Sequence, residues 1–376
     1  MTRIYLDHAA TTPMAEEVIQ TFTDEIKEEY GNASSIHQTG RGARKKLDQS
    51  RIVFAQSIGG HETEITITSG GTEADNYAIF GTAYARKSEG MHIITTQIEH
   101  HAVLHACEQL EREGFEVTYL PVNKEGLIDI NDLKNSLRDD TILVSVMYAN
   151  NEVGAIQPIQ SIGELLKDHP AYFHTDAVQA YGSMKIDVNE LHVDLLSVSS
   201  HKINGPKGIG FLFTRKGITL KPLFYGGQQE RKRRAGTENV PAVVAFARAV
   251  EIKQGQLEES FAHYNKLKRV FLHELESNGV QFTINGSTES VLPHVLNISI
   301  PKTDVETFLV QLDLAGIDAS SGSACTAGSI DPSHVLVAMY GENTPELRNS
   351  VRFSFGQNNS EQQVVEAANR ISKIIR

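Results

Sequence analysis

Lys202 is the residue whose position most clearly suggests covalent chemistry. It follows an apolar-polar run at residues 193–199 that has the pattern of a strand, and turn-forming residues 203–208 come after it. Removal from water disfavours an ammonium group, so a lysine held there can act as a neutral amine. Such an amine can form a Schiff base with an aldehyde. For this segment alone, an exposed lysine in a turn is the simpler interpretation.

Polar residues follow other predicted strands in the same manner. Because ligands bind at the carboxyl ends of the strands in an open α/β sheet, we expect these residues to lie near Lys202. They are the glycine-rich helix start at residues 69–74, which includes Gly71 and Thr72, and then His100, His101, Asn150, Asn151, Asp176, Gln179 and His201. Taken alone, each of these residues more often has a structural role than a functional one. Chance does not easily account for the whole set.

This set of residues suits one cofactor, pyridoxal 5'-phosphate. The phosphate needs a glycine-rich helix start, whose N–H groups favour an anion. The aldehyde needs a lysine, and the ring nitrogen needs a carboxylate that keeps it protonated, so that the ring can accept electrons. An imidazole offers a flat partner for the ring, and an amide offers a donor to its phenolic oxygen.

A pair of histidines leaves a metal site as an alternative. His101 and His105 are four residues apart on a predicted helix, with Cys107 close by, and such a pair can bind zinc. Glu99 lies outside the HExxH pattern and no third ligand is evident, so a pair on a helix surface is favoured and no metal is predicted. Cys107, within a helical pattern, is predicted to be a core or half-buried residue.

Cys325 lies in a different environment from Cys107. Residues 319–329 are small and polar, with no large apolar side chain, which is typical of a mobile loop. An accessible thiol on such a loop can act as a nucleophile.

Arg352 interrupts an apolar strand at residues 351–355 and therefore needs an anionic partner. Its planar guanidinium suits the carboxylate of an amino-acid substrate. An internal ion pair is the alternative.

An alternation of strands and helices must position these residues. Predicted strands cover residues 64–68, 92–96, 116–120, 141–147, 171–175, 194–199 and 208–214, and predicted helices cover residues 15–29, 44–58, 72–87, 101–113 and 158–167. Residues 32–42 are predicted to form a loop. The alternation favours an α/β fold in which helices sandwich a mostly parallel sheet.

A long helix at residues 240–276 is predicted to lead into a smaller, mixed domain. Its predicted strands cover residues 281–285, 294–300 and 350–355, and its helices cover residues 305–314 and 361–375. We therefore predict a large domain at residues 15–258. Residues 1–14 and 259–376 would form an α+β small domain that carries the cysteine loop at about residues 319–332.

The composition limits the class of protein. The 376 residues carry a formal net charge of −12, which argues against direct nucleic-acid binding, and the basic cluster at residues 231–234 is too short to reverse this. Two cysteines form no disulfide framework, so a reducing compartment is expected. No signal-peptide pattern is present, and no apolar run approaches the roughly 20 residues that span a bilayer. We predict a cytoplasmic protein without a membrane partner.

The chain resembles cysteine desulfurases of the NifS/IscS type, within the class V aminotransferase family of fold-type I pyridoxal-phosphate enzymes. The resemblance runs from Tyr5 to about Phe355. Its motifs are YLDHAATTP, YGNASSIH, TSGGTEADN, IEHHAVL, ANNEVG, HTDAVQ, SVSSHKINGPKG, RRAGTEN, SSGSACTAGS and VRFSFG. One departure is Gln357, where many members carry a basic residue.

The resemblance implies a role for each matching residue. Lys202 matches the Schiff-base lysine, and Cys325 matches the nucleophile that becomes a persulfide. His100 matches the histidine that stacks on the ring and is a candidate for proton transfer. The remaining matches are Asp176 for the pyridinium nitrogen, Gln179 for the phenolic oxygen, Thr72, Ser199, His201 and Thr237 for the phosphate, and Asn151 and Arg352 for the substrate carboxylate. Gly71 belongs to the phosphate-binding helix start, and Asn151 is also counted with the cofactor-binding residues.

The resemblance also implies partners. Thr237 would reach the phosphate of the other subunit, so a homodimer is expected. L-Cysteine would be converted to L-alanine, and the sulfur would pass to an acceptor protein, either an iron-sulfur scaffold or a tRNA-thiolation enzyme. The alternatives are a selenocysteine lyase, or another lyase or aminotransferase on the same scaffold, and a non-catalytic sulfur-scaffold or metal-binding protein.

Overall fold

The computed structural model describes residues 2–322 and 332–375. Its strands in chain order are β1 Ile4–Tyr5, β2 Ile65–Thr68, β3 His92–Thr96, β4 Glu116–Leu120, β5 Thr141–Ser145, β6 Tyr172–Asp176, β7 Leu195–Ser199, β8 Gly210–Thr214, β9 Thr283–Ile284, β10 Val295–Ser299, β11 Ile317–Asp318 and β12 Ser350–Ser354. Its α-helices are α1 Glu16–Glu28, α2 Gln38–Gln56, α3 Gly71–Arg86, α4 His101–Arg112, α5 Ile130–Ser136, α6 Ile159–Leu166, α7 Val240–Gly255, α8 Leu257–Ser277, α9 Val305–Leu314, α10 His334–Tyr340, α11 Glu346–Asn349 and α12 Glu361–Ile375.

The largest sheet in the described residues has seven strands in the order β2-β8-β7-β6-β5-β3-β4. Strands β3 to β7 pair in parallel, and β8 is antiparallel to both β2 and β7. Strands β3, β5 and β7 are buried along their whole length, as expected for strands that helices cover on both faces. The predicted α/β class with a mostly parallel sheet is confirmed, including the added strand β8.

Apolar side chains form separate cores in the two halves of the molecule. In the larger core, the aromatic rings of Phe54, Phe211 and Phe246 pack with centroids 4.6–5.9 Å apart. A second core joins Ile4 and Leu6, near the start of the chain, to residues 264–371. The division into two domains stays a prediction, and the second core supports it.

Two boundaries that the sequence predicted are wrong. The loop predicted at residues 32–42 ends early, because α2 begins at Gln38 with the His37 side chain accepting from Gly40 N. Gly40 serves close packing there, since a Cβ atom would lie 2.4 Å from the Ser35 carbonyl oxygen. The long helix predicted at residues 240–276 is two helices, α7 and α8, that meet at Gln256 after a glycine.

A buried ion pair fixes the loop that follows the large sheet. Both Arg51 and Glu230 are almost fully buried, and the guanidinium donates to both carboxylate oxygens at 2.5 and 2.6 Å. Glu230 also accepts from Ile67 N on β2 at 2.9 Å. Glu230, Arg231 and Lys232 all have positive φ angles, a conformation that L-residues rarely adopt, so this pairing holds the loop in a strained shape.

We expect Glu230→Gln to lower the free energy of unfolding by about 3–5 kcal/mol, because it leaves the Arg51 charge buried without its partner. Denaturant unfolding measures this loss. Glu251→Gln is the matched control, since Glu251 pairs with Arg248 on the exposed surface of α7 and such pairs add little. Equal losses in the two variants would contradict a special role for the buried pair.

Candidate active site

The carboxyl ends of β6 and β7 lie side by side, and each ends on a predicted site residue. Asp176 ends β6 and pairs in register with Ser197, two residues before the last residue of β7, Ser199. A single turn of 3-10 helix, Ser200–Lys202, follows directly. Strand register therefore brings Asp176, Ser199, His201 and Lys202 to one edge of the sheet.

The Lys202 side chain meets the backbone of the N-terminal segment. Its Nζ atom donates to the carbonyl oxygens of Ala9 and, at 2.9 Å, of Ala10. Gln179, which is buried, donates from Nε2 to the same Ala9 oxygen at 3.0 Å. The lysine and the amide predicted for the cofactor thus share one acceptor.

The N-terminal segment is also tied to the turn that carries Lys202. Thr12 donates to the His201 carbonyl oxygen from its backbone N at 3.0 Å and from its hydroxyl at 2.7 Å. The His201 ring lies 3.1 Å from the Thr11 hydroxyl. Sequence reasoning missed this segment as part of the site. The signal was the run of small residues at positions 9–12, where short side chains let backbone carbonyls approach the lysine.

Asp176 is a buried carboxylate, and Val178 N donates to it at 2.9 Å. Burial raises the pKa of Asp176 to about 6, while the Val178 N–H and the positive charge of Lys202 act in the opposite direction. Asp75 on α3 is a second buried carboxylate that the sequence analysis missed, and burial together with Asp176 raises its pKa. Two carboxylates in such surroundings favour a positive group beside them.

His100 caps the start of α4, where its Nδ1 atom accepts from Ala102 N at 3.1 Å. Burial lowers the pKa of His100 to about 4, and the charge of Lys202 acts in the same direction. His100 is therefore neutral at pH 7, as suits an imidazole that stacks on a ring or accepts a proton.

Glycines let helix α3 begin directly against the strand ends. A Cβ atom on Gly71 would lie 2.7 Å from Val178 Cγ2, and one on Gly210 would lie 2.9 Å from Gly70 Cα. The first turn of a helix has N–H groups without partners in the helix, and they favour an anion. Thr72 lies exposed in this first turn, so the helix start forms an open, anion-binding cradle.

Arg352 is buried and held by two groups. Its guanidinium donates to Asp7 Oδ1 at 2.8 Å and to the Asn151 carbonyl oxygen at 3.0 Å. Asp7 also accepts from the Ser320 hydroxyl at 2.7 Å. Asp7 is thus the anionic partner that the sequence predicted for Arg352. The guanidinium Nε has no hydrogen-bond partner among the described residues. The role of Arg352 toward a substrate stays a prediction.

Two further predicted site residues are Thr237 and Cys325. Thr237 is exposed, on the loop that follows Glu230. Cys325 and most of its predicted loop lie in residues 323–331, outside the described residues. Cys107 is fully buried in the core, as predicted.

The histidine pair on α4 is stacked, with ring centroids of His101 and His105 4.9 Å apart. Within residues 2–322 and 332–375, no group of three or more His, Cys, Asp or Glu residues is arranged to hold a metal ion. None of the helices in the same residues is both long and apolar enough to span a membrane.

Comparisons with known proteins identify the family. The family model for aminotransferase class-V matches residues 4–366. The chain belongs to the aminotransferase class-V family. The chain is 56% identical to IscS 1 of Bacillus subtilis (strain 168), over 100% of this chain and 99% of that protein. It is 46% identical to the cysteine desulfurase IscS of Dictyoglomus turgidum, over 94% and 89%.

Solved structures agree with this family. A NifS-like protein matches with a TM-score of 0.93 at 35% identity, over 99% of both chains. A structure titled SspA in complex with cysteine matches with a TM-score of 0.81 at 34% identity, over 94% of this chain and 99% of that one. The predicted fold-type I architecture and the resemblance to cysteine desulfurases are confirmed, and this class-V protein is a pyridoxal-phosphate-dependent cysteine desulfurase.

The residues of this class-V protein fit its cofactor. The buried Asp176 carboxylate needs a positive partner, which a protonated pyridine nitrogen would provide. The glycine cradle at Gly70 and Gly71 leaves room for an anionic group beside Ser199, since even a Cβ atom on Gly70 would lie 3.7 Å from the Ser199 hydroxyl. Lys202 and neutral His100 complete the set of groups that the cofactor requires.

We expect Gly71→Ala to weaken cofactor binding about tenfold, because the added methyl group would push α3 away from Val178. Titration of the apoprotein with pyridoxal 5'-phosphate, followed by absorbance, measures this affinity. Gly42→Ala is the control, since its Cβ atom would meet no atom within 4 Å. A second change, Val178→Ala, should restore part of the affinity, and failure of this rescue would contradict the steric explanation.

Proposed function

We propose that this cysteine desulfurase converts L-cysteine to L-alanine and stores the released sulfur as a persulfide on Cys325. The observation that carries the proposal is the meeting of Lys202, buried Asp176 and neutral His100 at one edge of the sheet. The relative whose solved structure is titled as a complex with cysteine supports the choice of substrate.

Different residues have different roles in the reaction at the substrate α-carbon. When bound, pyridoxal phosphate supplies a ring that accepts the electron pair released at this carbon. The Lys202 amine is the base that removes the α-proton and returns protons to the substrate carbon. Asp176 would stabilise the positive charge of the ring nitrogen, and Gln179 would donate to the phenolic oxygen. Arg352 and Asn151 hold the substrate carboxylate.

Sulfur transfer requires a second nucleophile. The thiolate of Cys325 attacks the substrate sulfur, an S–S bond forms, and the substrate C–S bond breaks with its electron pair on carbon. Protonation of that carbon gives alanine, so L-cysteine and one thiol become L-alanine and one persulfide. No outside oxidant is needed. His100, neutral and buried, is the candidate to accept the proton of a thiol here.

We propose that the enzyme works as a homodimer. Thr237 is exposed on its own subunit, which suits a phosphate ligand that reaches the site of a second copy. Large apolar side chains are exposed nearby in sequence, since Phe224 is 49% and Tyr225 78% exposed. Burial of such side chains favours association.

The sulfur acceptor is proposed to be an iron-sulfur scaffold or a tRNA-thiolation enzyme. The two cysteines indicate a reducing compartment, so we place the enzyme in the cytoplasm, where an acceptor protein would take the sulfur from the persulfide. The large domain at residues 15–258 would hold the cofactor, and the small domain would carry Cys325. Selenocysteine would use the same residues and stays an alternative substrate.

Lys202→Ala should abolish the absorbance band of the cofactor linked to the protein, because no other amine would occupy this position. Spectra of the purified proteins with added pyridoxal 5'-phosphate make the comparison. Lys207→Ala is the control, since Lys207 is exposed on the same loop. A retained band in the Lys202 variant would show that another residue forms the linkage.

Cys325→Ser should keep the cofactor band but reduce sulfide and alanine formation at least a hundredfold, because the hydroxyl cannot accept sulfur. Sulfide and alanine are assayed together after addition of L-cysteine and a reductant. Cys107→Ala, which removes the other thiol from the core, should retain activity. Alanine formation at the full rate in the Cys325 variant would contradict the assignment of the nucleophile.

A further inference from the structure

A small cavity of ≈ 20 Å³ lies beside Lys202, at the junction of the two cores. Its lining includes His8, Gln179, Lys202, Lys253, Tyr264 and His294. Lys202 and Gln179 also belong to the proposed cofactor site, whereas Asp176, His100, Ser199 and Arg352 are not part of the lining. Lys253, His8 and His294 therefore form a side of the cavity that no proposed cofactor contact uses.

The charge balance of this cavity is unusual. Its lining contains two lysines and neither an aspartate nor a glutamate. Lys253 is 5% exposed, and its Nζ atom donates to the neutral amide oxygen of Gln357 at 3.3 Å. Within the described residues, Lys253 has no carboxylate within ion-pair distance. A buried ammonium without an anionic partner is costly, so an anion beside Lys253 would stabilise the folded protein.

Two more buried polar groups lack partners in the same place. His8 and His294 both line the cavity and are 6% and 8% exposed. The Nδ1 atom of each has no hydrogen-bond partner among the described residues. Buried polar atoms are nearly always satisfied, so these nitrogens are available to a ligand in the cavity.

The neighbouring charges also make the cavity positive. The pKa of His294 is lowered to about 3, chiefly by burial and also by the neighbouring Lys268, Lys253, His8 and Lys202. Burial alone lowers the pKa of Lys253 to about 8. Asp7 is the carboxylate that acts on His8, and it is already paired with Arg352. The electrostatic potential of the cavity therefore favours an anion.

We propose that this cavity binds a small monovalent anion of the size of chloride, held by Lys253, His8 and His294. The volume accommodates about one water-sized group, which excludes larger anions such as gluconate. The anion would neutralise Lys253 and supply an acceptor for the imidazole N–H groups.

The anion would join elements from both parts of the molecule. Lys253 lies near the end of α7, on the side of the large sheet, while His294 precedes β10 and Gln357 follows β12. His8 belongs to the segment that leads to the carbonyl groups around Lys202. Occupancy of this site therefore stabilises the arrangement of the two cores around the active-site lysine.

The direct test is crystallographic. Crystals of the cofactor-loaded wild-type enzyme are soaked in bromide, and the anomalous signal locates the ion. The expected result is a peak within hydrogen-bonding distance of Lys253 Nζ and an imidazole nitrogen. A cavity without bromide, or one that holds only water, would overturn the proposal. This test needs no variant of the enzyme.

A second test measures thermal unfolding of the cofactor-loaded enzyme in potassium chloride and in potassium gluconate at matched ionic strength. Chloride should raise Tm by about 2 °C or more, because a ligand that binds only the folded state stabilises it. Lys253→Met should abolish this difference, and Lys266→Met, which changes an exposed lysine on α8, should retain it. An equal chloride effect in wild type and Lys253→Met would overturn the assignment of the site.

Discussion

The burial of Asp176 is the constraint on which the arrangement of the active site depends. Burying a carboxylate at the C-terminal end of a strand costs free energy unless a positive group lies beside it. Within residues 2–322 and 332–375, one backbone N–H, from Val178, is donated to it, and a second buried acid, Asp75, adds to the repulsion. In the function that we propose, a cationic ring would stand beside Asp176, so the cofactor would be part of the electrostatic balance as well as of the chemistry.

Much of this arrangement could be predicted from sequence because it is local. Strand ends, the helix start at Gly71 and the turn that carries Lys202 are each read from a few adjacent residues. Helix boundaries were predicted wrongly where they depend on packing. The composition around Gly40 suggested a loop, but Gly40 lies inside α2, where it closely approaches Ser35.

Contacts distant in sequence were the part that could not be predicted. Nothing near Lys202 in the sequence indicates that the carbonyl groups of Ala9 and Ala10 face it. Asp75 was likewise hidden, because a carboxylate on the first turns of a helix is usually exposed. An anionic partner for Arg352 was predicted, but its identity was not, because Asp7 lies near the other end of the chain.

That last pairing has a consequence for how the enzyme is made. Asp7 and Arg352 are 345 positions apart in sequence, and β1 pairs with β11, near the end of the chain. During translation, the segment that faces Lys202 therefore waits without its partners until nearly the whole polypeptide has left the ribosome. The large sheet can form earlier from contacts that are closer in sequence. A nascent chain would thus complete the surroundings of Lys202 late, and a truncated product without β12 would leave Asp7 without its Arg352 partner.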